Sequence, residues 1–400
     1  MRGKICFSTT EYPPDIGGGS KSAGRIVSML AREGFEVHVF APIKVDVLPS
    51  QTHTVTEENN VRVYRVYIEK RTNHIKQFYN VIKKIDSDVK FDLFHGFFLH
   101  MAYPCILVSR QRPVIASFRG IDAIWMSGTE YRMIATEVLK KASWITSVSG
   151  VSLKKADVIV PIAHKSSFIS NSIAGAFDGE WRLFAKNRRI VGTAANFRVK
   201  KNIPLLVSAY SDVDKTLRNR LLLVGDFVDY NAIETGRKNE FLALLQELSI
   251  SDECLITGYM DNNKVAEYLK SMHVFVLSSD HEGLPNSIIE AATLGVPIVS
   301  TAVDGVLDIM EDGKTGLLVP PGDRAALGRA IARVLSDDEL AMKLSAGARQ
   351  MAEALSPEKE QKAWVSLYDK LLDGNQLEGQ ADQADVPARY LTARSKTSAL

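Results

Sequence analysis

The chain has 400 residues, 46% of them apolar, with 49 basic and 47 acidic side chains and a formal net charge of +2. That length gives two domains, each able to bury a core, and the near-neutral balance excludes nucleic acid and other bulk polyanions as general partners. Three scattered cysteines, Cys6, Cys105 and Cys254, fit reduced thiols rather than a disulfide framework or metal site, and the chain holds no signal-like start or apolar run of ~20 residues, so a cytoplasmic location is expected.

Short apolar runs rich in β-branched and aromatic residues alternate with longer helical patterns, which predicts parallel sheets covered by helices on both faces. Strands are expected at 4–10, 36–42, 61–67, 92–97, 113–118, 144–149 and 158–162, forming a first domain over 1–165. A Ser-, Gly- and charge-rich stretch without periodicity, 166–187, reads as the linker. The pattern then repeats over 188–355, with strands at 189–194, 220–225, 254–258, 274–279 and 297–301 and a short edge at 316–319. Ser356 and Pro357 form an N-cap and N1 signal for a packing helix over 356–373, in which Trp364, Leu367, Tyr368 and Leu371 recur at helical spacing. The polar, aperiodic 374–400 reads as a disordered tail. Open parallel sheets bind ligands beyond the carboxyl ends of their strands, so the loops that follow strands are where chemistry is expected.

The strand ending at Ser279 is followed by Asp280-His281-Glu282-Gly283-Leu284-Pro285-Asn286-Ser287-Ile288-Ile289-Glu290 and a helix that stops near Gly295. Pro285 at a first helical position aims the unpaired amides of Asn286 and Ser287, with the positive end of the helix dipole, at an anion. Glu290 lies about 7 Å further along the axis at about 1.5 Å per residue, comparable to the distance from a diphosphate to a ribose hydroxyl pair. Glu282, at the strand end, reaches the other side of the diphosphate, where the sugar sits. Two glutamates eight apart can also be a solvated helix face; here they flank a buried strand and a Pro-initiated helix.

At these residues the chain resembles glycosyltransferase family 4, whose signature is Glu-x7-Glu, with Gly283-Leu284-Pro285 after the first glutamate; the resemblance runs from Met1 to about Leu372. It implies an α/β chain of the GT-B fold: two Rossmann-like domains facing across a cleft, the first for the acceptor and the second for the donor. The C-terminal helix is then expected to cross back to the N-terminal domain. It further implies retention of anomeric configuration and a nucleotide-sugar substrate such as a UDP- or GDP-sugar, with no cofactor and no metal.

Other motifs agree in part. Gly17-Gly18-Gly19 follows the first strand and opens a helix, so its backbone can approach a phosphate or sugar. Ser22 stands where a dinucleotide fingerprint needs its third glycine, and Gly19-Ser20-Lys21 separates Gly from Lys and so excludes a P-loop. The motif is similar to the family's glycine-rich loop, which approaches the donor phosphates and the acceptor. In Ser117-Phe118-Arg119-Gly120-Ile121-Asp122, similar to the family's His-Gly-x-Asp, Arg119 replaces histidine by a permanent cation. Arg119 is expected to contact a phosphate or the transferred sugar, the alternative being an ion pair with Asp122, itself a candidate acceptor contact. In Asn196-Phe197-Arg198-Val199-Lys200-Lys201, Lys201 keeps the family's diphosphate-binding lysine while Asn196 occupies its arginine position, leaving Arg198 as the candidate substitute. Asp304-Gly305-Val306-Leu307-Asp308 resembles the family's Gly-Gly-x-x-Glu, and Gly313-Lys314-Thr315-Gly316-Leu317-Leu318-Val319 its turn and edge strand. Val160-Pro161-Ile162-Ala163-His164 departs from the family's Pro-Asn-Gly-x-Asp, and His95 and His100, five apart, lack metal-binding spacing.

The expected activity is a retaining glycosyltransferase in glycan, polysaccharide or glycolipid biosynthesis, with Glu282, Lys201 and Arg119 catalytic. Its donor would be held by Gly17, Gly18, Gly19, Arg198, Gly283, Leu284, Pro285, Asn286, Ser287 and Glu290. A sugar-nucleotide 2-epimerase and a non-catalytic nucleotide-sugar-binding subunit are the alternatives on the same fold. A basic stretch, Arg62, Arg65, Lys70, Arg71, Lys76, Lys83, Lys84 and Lys90, surrounds the helical stripe Ile75, Phe78, Tyr79 and Ile82. An inward stripe would turn the lysines outward, where an anionic membrane surface can meet them. The resemblance, to a family whose bacterial-type members often act on lipid-linked or envelope acceptors, implies a glycan or lipid-linked acceptor, and with it peripheral docking on the inner face is expected.

Overall fold

Two parallel sheets organise the computed structural model, which describes residues 2–374 except 16, 59, 70–73, 121–128, 174, 176, 178, 186, 188 and 228–235, and except the side chains of 129 and 130. The expected tail and Asp122 lie outside the described residues, apart from Gly374. The chain divides into one unit of 1–170 with 360–400 and a second of 171–359.

In the first unit the strands are β1 (Gly3–Ser8), β2 (Phe35–Val45), β3 (His53–Glu58), β4 (Val61–Glu69), β5 (Leu93–Gly96), β6 (Val114–Phe118), β7 (Trp144–Ser147) and β8 (Ser166–Phe168). Their spatial order is β3-β4-β2-β1-β5-β6-β7-β8, parallel throughout except the β3–β4 pair. Alternation along β1 feeds both faces: Ile5 and Phe7 enter one apolar cluster, Cys6 the other. Trp364, Leu367, Tyr368 and Leu371 of the helix Pro357–Leu372 belong to the same cluster as Ile5 and Phe7. This helix is also held by polar contacts. Arg25 Nε donates to Glu360 Oε2 at 2.8 Å, and Tyr368 Oη lies 2.6 Å from Nδ1 of the buried His95. His95 Nε2 in turn lies 2.7 Å from Ser117 Oγ, so both ring nitrogens are satisfied, and burial, reinforced by Arg119, keeps the ring neutral.

In the second unit the strands are β9 (Ile190–Ala194), β10 (Arg220–Val224), β11 (Cys254–Ile256), β12 (Val274–Leu277), β13 (Ile298–Thr301) and β14 (Leu317–Val319), ordered β11-β10-β9-β12-β13-β14 and all parallel. Counted within the unit this is the order 3-2-1-4-5-6 of a doubly wound nucleotide-binding sheet. Its direction of winding reverses between β9 and β12, and loops leaving adjacent strands at such a reversal diverge and leave room for a ligand.

Three expectations need correction. The strand expected at 158–162 is instead the last two residues of the helix Gly150–Ile159, which Ser149 caps by accepting from Ser152 N at 3.2 Å, and the irregular segment after it; a short apolar run does not distinguish helix from strand. The next strand is β8, inside the stretch read as a linker. The hairpin strand β3 was not expected, because His-Thr-Val-Thr-Glu-Glu lies at the sheet edge and buries little.

Candidate active site

The loops after β9 and β12 are laced together before any ligand is considered. Ser278 Oγ donates to the carbonyls of Lys201 and Asn202 at 2.9 and 3.0 Å, and Asp280 N donates to Lys200 O at 2.9 Å. Asn202 sits in the left-handed region at φ 45°, a conformation asparagine tolerates better than most residues. Its Nδ2 donates to Asp280 Oδ1 at 2.9 Å, while its Oδ1 caps the next helix by accepting from Leu205 N at 3.2 Å.

This lacing brings two lysines onto one carboxylate. Lys201 Nζ lies 2.6 Å from Glu282 Oε1 and Lys200 Nζ 3.1 Å from Oε2, while Ser279 Oγ donates to Oε1 at 2.8 Å. Glu282 is only 9% exposed. Burial alone would raise its carboxyl, but Lys201, Lys200 and the Ser279 hydroxyl outweigh burial and hold it at about 2. Glu282 is therefore an anion at neutral pH that accepts hydrogen bonds and has no proton to donate. Burial lowers the Lys200 ammonium, and the neighbouring cations Lys201 and Arg198 add to this against the pull of Glu282. One carboxylate cannot neutralise two ammonium groups, so the cluster keeps a net positive charge suited to a further anion.

The helix Asn286–Leu294 begins four residues after Glu282 and ends at Gly295 in the left-handed conformation. Pro285 is the N-cap, at ψ 114°, rather than the first helical residue, so the amides of Asn286 and Ser287 fall in the first turn. Asn286 Oδ1 accepts from Asn171 Nδ2 at 2.9 Å. Ser287 Oγ is buried without a hydrogen-bond partner, which is costly for a hydroxyl unless a ligand satisfies it. Glu290 follows Asn286 by four residues and Ser287 by three, so the three share one side of the helix. The segment Glu282–Leu284 is pressed from behind by Gly305, whose amide donates to Glu282 O at 3.3 Å; a Cβ on Gly305 would stand 1.1 Å from Gly283 O. Only glycine fits there.

In the first unit, Gly17 caps the helix Gly18–Arg32 and Glu11 lies against this glycine cradle. A Cβ on Gly19 would stand 2.0 Å from Glu11 Oε1 and 3.1 Å from Phe98 Cζ. Phe98 packs edge-on to Phe97 at 5.4 Å, and the Arg119 guanidinium lies 4.4 Å from the Phe97 ring centroid. Glu11 and Phe98 beside the glycines, and Arg119 over the buried Phe97, thus gather at the carboxyl ends of β1, β5 and β6.

Known proteins fall on the same two halves. The model of Glycosyltransferase Family 4 matches residues 16–171 and that of Glycosyl transferases group 1 matches residues 180–351. The chain belongs to the group 1, family 4 glycosyltransferases. This glycosyltransferase is 24% identical over 393 residues to N-acetyl-alpha-D-glucosaminyl L-malate synthase of Bacillus anthracis, covering 92% of this chain and 98% of the relative. It is 31% identical over 180 residues to the 2-deoxystreptamine N-acetyl-D-glucosaminyltransferase of Niallia circulans, covering 45% and 44%. Sucrose-phosphate synthase from Thermosynechococcus elongatus superposes with a TM-score of 0.78 at 20% identity over 93% of this chain and 100% of that one. Anabaena Alr3699/HepE, solved in complex with UDP-glucose, does so with a TM-score of 0.73 at 14% identity over 92% and 100%. These likenesses give the glycosyltransferase the GT-B fold.

Of the residues singled out in the sequence of this glycosyltransferase, Lys201, Glu282, Gly283, Leu284, Pro285, Asn286, Ser287 and Glu290 fall on the two loops at the β9–β12 reversal and the helix that follows. Arg198 lies on the same loop, half-buried, close enough to depress the Lys200 ammonium. Lys200, Ser279 and Asn171 were missed. Lys200 adjoins a flagged residue, but adjacency does not reveal that a turn of 3-10 helix, Val199–Lys201, lets both ammonium groups reach one carboxylate. Glu11 was missed because the glycines alone suggested an anion cradle, whereas the chain sets its own carboxylate there. Among the described residues no group of three or more His, Cys, Asp or Glu side chains could hold a metal ion. None of the described helices is long and apolar enough to cross a membrane.

Proposed function

We propose that the glycosyltransferase takes a sugar from a nucleoside diphosphate sugar and transfers it to an acceptor hydroxyl with retention at the anomeric carbon, without a metal. The observation that carries this is the pairing of Lys200 and Lys201 with Glu282 beside the N-terminus of Asn286–Leu294, at the winding reversal of the second sheet. In this reading the diphosphate sits on the two ammonium groups and the amides of Asn286 and Ser287, and Glu290 accepts the ribose hydroxyls. Glu282 accepts hydroxyls of the transferred sugar; with its oxygens engaged by two ammonium groups and a hydroxyl it is a poor nucleophile. The bond from the anomeric carbon to the diphosphate oxygen breaks, the acceptor oxygen forms its bond on the same face, and the leaving phosphate oxygen takes the acceptor proton. Charge developing on that oxygen is stabilised by Lys200, Lys201 and the helix amides. Arg119 is a further cation for a phosphate or the sugar, and Glu11 at the glycine cradle suits a hydroxyl-bearing group better than a phosphate.

The acceptor we propose is a glycan or lipid-linked glycan, met during peripheral docking on an anionic inner membrane face. The test of the transfer chemistry is slow hydrolysis of a panel of UDP- and GDP-sugars, with the anomer released first read by proton NMR. Release with the donor's own configuration is expected; prompt release of the opposite anomer overturns retention.

A further inference from the structure

Four buried polar side chains run in a line across the first sheet. His95 on β5, Ser117 on β6 and Thr146 on β7 stand on neighbouring strands, and Tyr368 meets them from the helix Pro357–Leu372. Tyr368 Oη lies 2.6 Å from His95 Nδ1, His95 Nε2 lies 2.7 Å from Ser117 Oγ, and Ser117 Oγ lies 2.6 Å from Thr146 Oγ1. A neutral imidazole has one N–H and one bare nitrogen, so when Tyr368 donates to the ring Ser117 must accept from it, and the reverse. The two bonds on the ring are therefore coupled. Apolar groups of the same shape would hold the sheet about as well, since exchanging both partners of a buried hydrogen bond for them is nearly neutral in stability. What a fully satisfied buried network supplies instead is fixed position.

Two strands carry this line to Arg119. Arg119 stands two residues past Ser117, and Phe97, whose ring centroid lies 4.4 Å from the Arg119 guanidinium, stands two past His95. The His95 and Phe97 rings meet edge-on at 6.1 Å, and Phe7 packs against both, at 4.8 and 5.3 Å. Between them Gly96 is pressed under the helix Ala102–Ser109, where a Cβ would stand 2.2 Å from Ala102 N, and Phe97 N donates to Ser8 O at 2.8 Å. This packing leaves no slack. A tilt of the His95 ring therefore reaches Arg119 twice, through Phe97 beside its guanidinium and through Ser117 on its own strand.

We infer that Tyr368 and His95 are positioning residues that set Arg119 for the transfer, so that the C-terminal helix takes part in turnover through a hydroxyl buried in the first unit. The inference rests on the role proposed for Arg119 and not on the donor site of the second unit. The test compares kcat of the full-length wild type, Tyr368→Phe, Arg119→Gln and the double variant, with the UDP- or GDP-sugar that wild type turns over fastest and thermal unfolding beside it. Arg119→Gln should lower kcat by about 100-fold, as loss of one group aimed at developing charge does. Tyr368→Phe should lower kcat by about tenfold with donor KM nearly unchanged, a displacement of a fraction of the roughly 1 Å that costs about 100-fold. Added to Arg119→Gln, it should cost less than about twofold, because the group it positions is gone. A merely structural tyrosine would lower kcat by the same factor in both backgrounds, and that additivity overturns the inference. Ser117→Ala breaks the line on the other side of the ring and should repeat the Tyr368→Phe result; wild-type kcat in either variant also overturns it. If Arg119→Gln itself turns over at the wild-type rate, the role of Arg119 fails and the inference with it, whereas additivity with a slow Arg119→Gln removes the inference alone.

Discussion

Replacing Lys201 by methionine keeps most of the apolar stem and removes the ammonium 2.6 Å from Glu282 Oε1. The surrounding groups hold the Glu282 carboxyl at about 2, against 4.5 ordinarily. At about 1.36 kcal/mol per pH unit, that difference corresponds to about 3 kcal/mol of preference for the charged form. Lys201 is the largest of the favourable contributions, and burial opposes all of them. Lys200 at 3.1 Å and Ser279 at 2.8 Å remain in the variant. The fold should therefore lose about 1–2 kcal/mol, less than the roughly 3–5 kcal/mol of a buried pair left with no partner. Turnover should suffer more, because loss of one group stabilising a developing oxyanion costs about 10²–10³ in kcat. Nucleoside diphosphate release at saturating donor, measured beside urea unfolding at pH 7, separates the two effects. A variant less stable by the expected amount yet turning over at the wild-type rate would refute the role given to Lys201.

Glu290→Gln should weaken donor binding by about 10- to 100-fold in calorimetry, the loss of a charge-assisted bond worth roughly 1.5–3 kcal/mol; unchanged affinity would remove Glu290 from the ribose site. Because the folded-state carboxyl of Glu282 lies below its unfolded value, its stabilisation is present in full above about pH 4.5 and is lost as pH falls towards 2. Urea unfolding from pH 6 to 2.5 should accordingly show wild type losing more stability than Glu282→Gln across that window, and parallel curves would contradict it. Gly305→Ala sets a Cβ 1.1 Å from Gly283 O, so the Glu282 loop must shift; kcat/KM should drop about 100-fold, as a displacement near 1 Å at a reacting centre can cost, beyond what thermal unfolding accounts for. Turnover in excess chelator should match turnover without it, and loss restored by Mg²⁺ would show that a divalent ion takes part.

Much of the second unit was legible in the sequence, because its strands are short, mostly apolar runs, as Val274–Leu277 is before the polar Ser278 and Ser279. The Glu282–Glu290 segment could be placed on a strand end and a helix because Pro285 and Gly295 punctuate it on both sides. What could not be read were contacts made by folding distant loops together. Asp280 N meeting Lys200 O, and Asn202 serving both Asp280 and Leu205, depend on β9 and β12 being neighbours despite 79 intervening residues, which periodicity does not encode. Glu11 is similar, its carboxylate reaching a cradle that the glycines alone suggested was for an external anion. The edge strand β3 and the strand β8 were lost because edge positions bury too little for an apolar signal.

In the proposed function the Lys200–Lys201–Glu282 cluster and the adjoining helix N-terminus bind the diphosphate of a nucleotide sugar. Titrating UDP- and GDP-sugars, with the matching nucleoside diphosphates, into wild type and into a Lys200→Met, Lys201→Met double variant tests it most directly. At least one diphosphate and its sugar should bind wild type and lose 100-fold or more in affinity in the folded double variant; equal binding to both proteins, or binding of no nucleotide to wild type, would contradict it.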